Sequence, residues 1–82
     1  MTAYVLIQKR AGTKPVAGMI RTMRGIAGAE DVTGPYDAVA MASADSTREL
    51  FDRILPEIRE LPGVTQALLA PVARAELQPQ AA

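Results

Sequence analysis

Val32-Thr33-Gly34-Pro35-Tyr36-Asp37-Ala38-Val39-Ala40-Met41-Ala42 sets a tight Gly-Pro turn directly before the most apolar run in the middle of the chain. Glycine and proline punctuate a turn over residues 33–37, and the run 37–42 that follows reads as a strand, β3. Immediately upstream, residues 27–32 alternate weakly and include Gly28, Glu30 and Asp31. They read as a second strand, β2, whose glycine and charges suit a sheet edge. The quoted stretch is thus the turn of a β2–β3 hairpin.

A helix is predicted on each side of that hairpin. Upstream, Val16, Met19, Ile20 and Met23 recur at i, i+3, i+4 and i+7 and make one apolar stripe, α1. Thr13 or Lys14 stands near its cap, Pro15 falls in its first turn, and Gly25 supplies the stop. Downstream, Ser46-Thr47-Arg48-Glu49 has the pattern of a capping box. Leu50, Ile54, Ile58 and Leu61 then form the stripe of α2, widened by Phe51 and Leu55. Glu49 with Arg53, and Arg53 with Glu57, add i,i+4 ion pairs on the wet face. Pro56 interrupts α2 at a cost of roughly 3 kcal/mol if unrelieved, yet the stripe continues in phase, which predicts one bent helix. The first and last strands along the chain are β1, residues 3–7, and β4, residues 64–72. Residues 73–82, rich in Ala and Gln, are expected to add a short helical turn or to fray.

The two halves echo one another. Ile20-Arg21-Thr22-Met23-Arg24-Gly25-Ile26 parallels Ile58-Arg59-Glu60-Leu61-Pro62-Gly63-Val64: a helix end, a glycine stop and a β-branched start to a strand. Two strand–helix–strand units with right-handed crossovers put both helices on one face of one sheet. The expected fold is therefore α+β, a ferredoxin-like βαββαβ domain with strand order 4-1-3-2. Residues of both parities in β1 are apolar, Tyr4 and Leu6 against Val5 and Ile7. In β3, Val39 and Met41 oppose Ala38 and Ala40, and residues 67–70 of β4 run without alternation. Strands that lack alternation are covered on both faces, and two helices cover only one. The pattern predicts a homodimer through the open sheet face, an α/β barrel-like assembly.

Composition removes several kinds of chemistry. The 82 residues make one domain, with a core over 3–72 and a tail over 73–82. With no cysteine and no histidine, there is no thiolate nucleophile, no imidazole base and no zinc site of the usual ligands. Nine basic and nine acidic side chains cancel, which argues against direct nucleic-acid binding. The first apolar run is too short for a signal peptide or a membrane span, so the expectation is a cytoplasmic protein with no membrane partner. The basic set Lys9, Arg10, Lys14, Arg21 and Arg24 reads as a solvated face, with docking to an acidic partner as the alternative. Glu30, Asp31 and Asp37 lie near one end of the hairpin, but adjacent strand residues point to opposite faces, so no metal site is assigned. Met19, Met23 and Met41 read as core or interface fillers.

The turn Thr33-Gly34-Pro35-Tyr36-Asp37, the apolar β3 and the Leu61-Pro62-Gly63-Val64 approach to β4 resemble the effector-binding (RAM) domain of the Lrp/AsnC regulators. The resemblance spans residues 3–72, and its most specific element is Gly-x-Tyr-Asp. It implies dimers that join through their sheets, often built further into rings of dimers. It also implies a small effector, usually an amino acid, bound between subunits. Because the chain starts directly at β1, the resemblance implies a stand-alone version without the helix-turn-helix, able to co-assemble with a relative that has one. The pocket-lining turn of the family maps onto Gly34, Tyr36 and Asp37. Positions on β4 that often carry Thr or Ser in the family correspond to Ala67 and Leu69.

Each of the three turn residues also has a purely structural reading. Glycine permits the turn, aspartate bonds nearby backbone, and a tyrosine at a strand end packs with its hydroxyl in water. For function, the leading expectation is a non-enzymatic, cofactor-free binding and oligomerisation module in transcriptional or metabolic regulation. One alternative is a small dimeric ferredoxin-like barrel enzyme of the monooxygenase kind. Such sites depend on His, Trp or Asn, and the chain has none of these. The other is a domain that serves assembly alone.

Overall fold

The computed structural model describes residues 1–72, so the reading of residues 73–82 lies outside the described residues. Four strands form one antiparallel sheet in the order β2-β3-β1-β4. They are β1 (Thr2–Lys9), β2 (Ile26–Asp31), β3 (Ala38–Ser43) and β4 (Val64–Pro71). Helix α1 (Ala17–Arg21) joins β1 to β2. Helix α2 joins β3 to β4 in three consecutive segments, Thr47–Glu49, Leu50–Ile54 and Leu55–Arg59. This is the ferredoxin-like α+β fold, with both helices on one face.

Parity along the strands decides what that face looks like. Ala3, Val5 and Ile7 of β1, Ala38, Ala40 and Ala42 of β3, Ala29 of β2 and Ala67 of β4 are all buried. Against them pack Val16, Ala17 and Ile20 from α1, and Leu50, Ile54, Leu55 and Ile58 from α2. The sheet side of this core is mostly alanine, which lets the helices lie close, and the helices supply the large side chains. The opposite parity, with Tyr4, Leu6, Val39, Met41 and Leu68, faces away from the helices.

The glycine stops work as the repeat suggested. Gly25 (φ 95°) and Gly63 (φ 88°) both take the left-handed conformation that side chains resist. The Gly25 carbonyl accepts the Ser43 N–H at 2.7 Å, and the Gly63 carbonyl accepts the Arg10 N–H at 2.7 Å. Each stop therefore holds the end of a central strand. Space is tight at both. A Cβ on Gly25 would come within 2.9 Å of Ile54 Cδ1, and one on Gly63 would collide with the Thr13 side chain.

The helices depart from their expected form in several places. Helix α1 is shorter, and Val16, not Thr13 or Lys14, occupies its N-cap without a side-chain bond. The Ala17 N–H is instead taken by Asp31 Oδ1 at 3.2 Å, from a neighbouring strand. Met19 is 42% exposed and Phe51 is 47% exposed, so neither fills the core. In α2 the Ser46 hydroxyl accepts the Glu49 N–H at 3.2 Å, but the Glu49 carboxylate reaches the Asp45 N–H, one residue short of the expected capping box. The middle segment Leu50–Ile54 is a π-helix, and the Leu55 N–H bonds to Leu50 O. The wider turn runs directly into the segment that carries Pro56, and the backbone stays right-handed helical at Ile54 and Leu55. Ion pairs Glu49–Arg53 (2.9 Å) and Arg53–Glu57 (3.5 Å) form as the spacing implied.

The Arg53 hydrogen bond, and then the Asp45 N–H, hold the Glu49 carboxyl below its usual range. A depressed acid favours the folded state above its ordinary pKa, and that contribution fades as the pH falls through the lowered one.

Gly63→Ala is expected to lower the unfolding free energy by about 2–4 kcal/mol, from left-handed strain plus overpacking against Thr13. Gly28→Ala, at a position with open space beside it, should stay within roughly 0.5 kcal/mol of the parent. Urea unfolding followed by far-UV circular dichroism measures both, and equal losses would refute this account of the stops.

Candidate functional site

The β2–β3 turn is held to β1 from two sides. Gln8 Nε2 donates to Pro35 O at 2.9 Å, and the Lys9 N–H donates to Asp37 Oδ2 at 2.8 Å. Lys9 is free to do so because its N–H points to the β3 side, where the ladder ends at the Ile7–Ala38 pair. Asp37 also donates its N–H to Ile7 O (2.8 Å) and accepts the Val32 N–H at its own carbonyl (3.0 Å). One residue thus clasps β1 and the end of β2 to the start of β3. Gly34 is exposed with φ 118°, and a Cβ there would meet nothing within 4 Å. The backbone torsion, not lack of room, asks for glycine. Tyr36 is half-buried. Gly34, Tyr36 and Asp37 are therefore brought together in one turn, with the Asp37 carboxylate already bonded to backbone.

The acidic residues of the hairpin diverge. Asp31 accepts from α1, Asp37 accepts from β1, and Glu30 lies 4.0 Å from Arg21 at the surface. Among the described residues, no three acidic side chains gather into a metal-binding group. The basic residues are only partly a solvated face. Lys9 Nζ donates to Thr13 O at 2.7 Å and Arg21 Nε to Ala29 O at 2.9 Å, so both serve the chain's own backbone.

A second feature, not anticipated from the sequence, lies on the open face of the sheet. A groove of about 440 Å³ runs over β3, lined by Tyr4, Gly28, Glu30, Val32, Val39 and Met41 together with the alanines between them. Gly28 pairs with Met41 across the β2–β3 ladder, at a register shift that follows Ile26. Its missing side chain leaves the space open. The floor is apolar and Glu30 brings one carboxylate to the rim, so the groove suits an apolar body better than an ionic one. None of Gly34, Tyr36 and Asp37 lines it. The glycine inside an edge strand was the available signal, since such a residue marks a bulge or a close approach. Ala67 is fully buried beneath the helices, and Leu69 packs on the same core. Neither position presents a side chain to the groove.

Comparison with known proteins places this geometry in context. No protein-family model and no curated protein matches the chain. Among solved structures, TTHA0845 from Thermus thermophilus superposes with a TM-score of 0.71 at 36% identity, covering 88% of this chain and 94% of that one. The chain and TTHA0845 belong to one family. FFRP-DM1, an Lrp/AsnC-family protein, superposes with a TM-score of 0.70 at 26% identity over 85% of this chain and 97% of its own. The transcriptional regulator NMB0573 of Neisseria meningitidis, solved as an L-Met complex, gives a TM-score of 0.73 at 18% identity. That match covers 87% of this chain and 48% of the regulator. The fold shared with these proteins is the Lrp/AsnC RAM-like fold. Among the described residues, no helix is long and apolar enough to cross a membrane.

Replacing Asp37 with alanine leaves the Lys9 N–H without its acceptor and is expected to cost roughly 1–2 kcal/mol. Asp37→Asn, which keeps an acceptor oxygen, should lose less. Equal stability of Asp37→Ala and the parent in urea would show that the clasp contributes nothing.

Proposed function

We propose that the protein is a regulatory effector-binding and assembly module of the Lrp/AsnC type. Copies pair through the open sheet face, and a small molecule of the amino-acid class is held at the turn containing Gly34, Tyr36 and Asp37. The observation that carries this reading is the open face itself. Tyr4, Leu6, Val39, Met41, Leu68 and Ala70 present an uncharged surface from the three strands β1, β3 and β4. Tyr4 at 43% and Leu68 at 39% exposure are large apolar groups left in water by a single copy, and contiguous patches of this kind mark association sites. The L-Met complex of the Neisseria regulator, on the same fold, supports an amino acid as the ligand class. Rings of dimers, and mixed assembly with a helix-turn-helix relative in the cytoplasm, are the forms in which such a module would act on transcription.

One observation favours a second reading in which the turn serves assembly alone. The Asp37 carboxylate already holds the Lys9 N–H, so a ligand would have to use its remaining lone pairs or displace that bond.

Sedimentation equilibrium should give a mass of at least twice the 8.7 kDa of one chain. Leu6→Lys, which puts a charge into the face, is expected to weaken the dimer by roughly 2 kcal/mol or more, about 30-fold. Thermal shift against the twenty amino acids, read on the parent and on Tyr36→Ala, tests the ligand. A flat response from a folded dimer would leave only the assembly reading.

A further inference from the structure

Both free edges of the sheet are covered by an arginine at matching places in the repeat. The Val32 N–H donates to Asp37 O across β2–β3. Backbone polar groups point alternately inward and outward along an antiparallel ladder, so Ala29 turns its carbonyl off the free side of β2. Arg21 reaches round from α1, and its Nε donates to that carbonyl at 2.9 Å. At the other edge the Val72 N–H donates to Thr2 O at 3.1 Å, so Ala67 turns its carbonyl off the free side of β4. Arg59, at the end of α2, donates from Nη2 to Ala67 O at 3.0 Å. Each arginine stands eight residues before its carbonyl and four before its glycine stop. Pro71 occupies the same outward parity of β4 and offers no N–H there.

We propose that Arg21 and Arg59 close the two edges of the sheet to strand addition, so that a second copy of this chain joins only through the open face. An incoming strand needs the outward carbonyls as acceptors for its own N–H groups. Here the central outward carbonyl of each edge is occupied by a charged donor, and the guanidinium lies in the path of the strand. Two such edges would also bring like charges together, whereas the middle of the open face carries no charge to oppose its own copy. The choice of the face as the route that remains rests on the proposed sheet-to-sheet pairing. The closure of the edges stands on the two hydrogen bonds.

The test uses the full chain in the Leu6→Lys background, diluted to concentrations at which that background is monomeric. Arg21→Met and Arg59→Met keep most of the stem and lose the donors. With native-like circular dichroism, each single change should raise the weight-average mass about twofold as one edge pairs with its counterpart. Both changes together should give open-ended growth that increases with concentration and binds thioflavin. Arg21→Lys with Arg59→Lys, which keeps a charged donor at each edge, should hold the mass of the Leu6→Lys parent. Folded single variants that also hold that mass overturn the proposal, and they decide the matter even if the double variant does not fold. A parent protein that is already a monomer would sink the face reading alone, because the comparison of edge variants does not require it.

Discussion

Two carbonyls, those of Gly25 and Gly63, tie the halves of this fold together. Each belongs to a residue held in the left-handed conformation at the end of a helical unit, and each accepts the N–H that follows or ends a central strand of the opposite unit. The pairing fixes where α1 and α2 end relative to β3 and β1. From there the strand order, the parity of every sheet residue and the position of Arg21 and Arg59 at the edges are all determined. The glycines are pinned in turn, Gly25 by Ile54 and Gly63 by Thr13, so the stops and the helix packing support each other.

One-sided coverage is the second consequence of this arrangement. The alanine-rich parity of the sheet accepts the helices, while the parity with Tyr4, Leu6, Met41 and Leu68 has no helix to meet. A domain this small gains only a modest core from two helices. Burial of the remaining face is the largest apolar contribution still available to it, so the proposed sheet-to-sheet pairing would add to stability as well.

Much of this could be read in the sequence because it rests on local period and on repetition. The absence of alternation in β1 and β3 marked both of their faces as apolar, the matching Arg-x-x-x-Gly segments gave the crossovers, and i,i+4 spacing placed Arg53 between its two carboxylates. What stayed hidden depends on contacts between distant residues. Nothing near Ala17 announces that Asp31 caps its helix from a strand 14 residues on. The exposure of Phe51 follows from the π segment, whose wider turn puts Leu50, Ile54 and Leu55 inward and swings Phe51 out. At the turn, Gly-x-Tyr-Asp was legible as a unit. The engagement of Asp37 with Lys9 was not, because it depends on where the β1–β3 ladder ends, two residues before Lys9. The groove needed Gly28 to be seen opposite Met41, a pairing that only the assembled hairpin supplies.

The π segment of α2 also bears on how this chain can change in length. A ring closed between Leu50 and Leu55 contains one residue more than an α-helical turn. Loss of a single residue between them returns the ladder to ordinary α-helical spacing, while Leu50 before it and Ile58 after it still reach the sheet. The helix can therefore absorb a one-codon deletion at this point with the strand register untouched, whereas the same deletion in β1 or β3 would turn the buried alanines toward the open face.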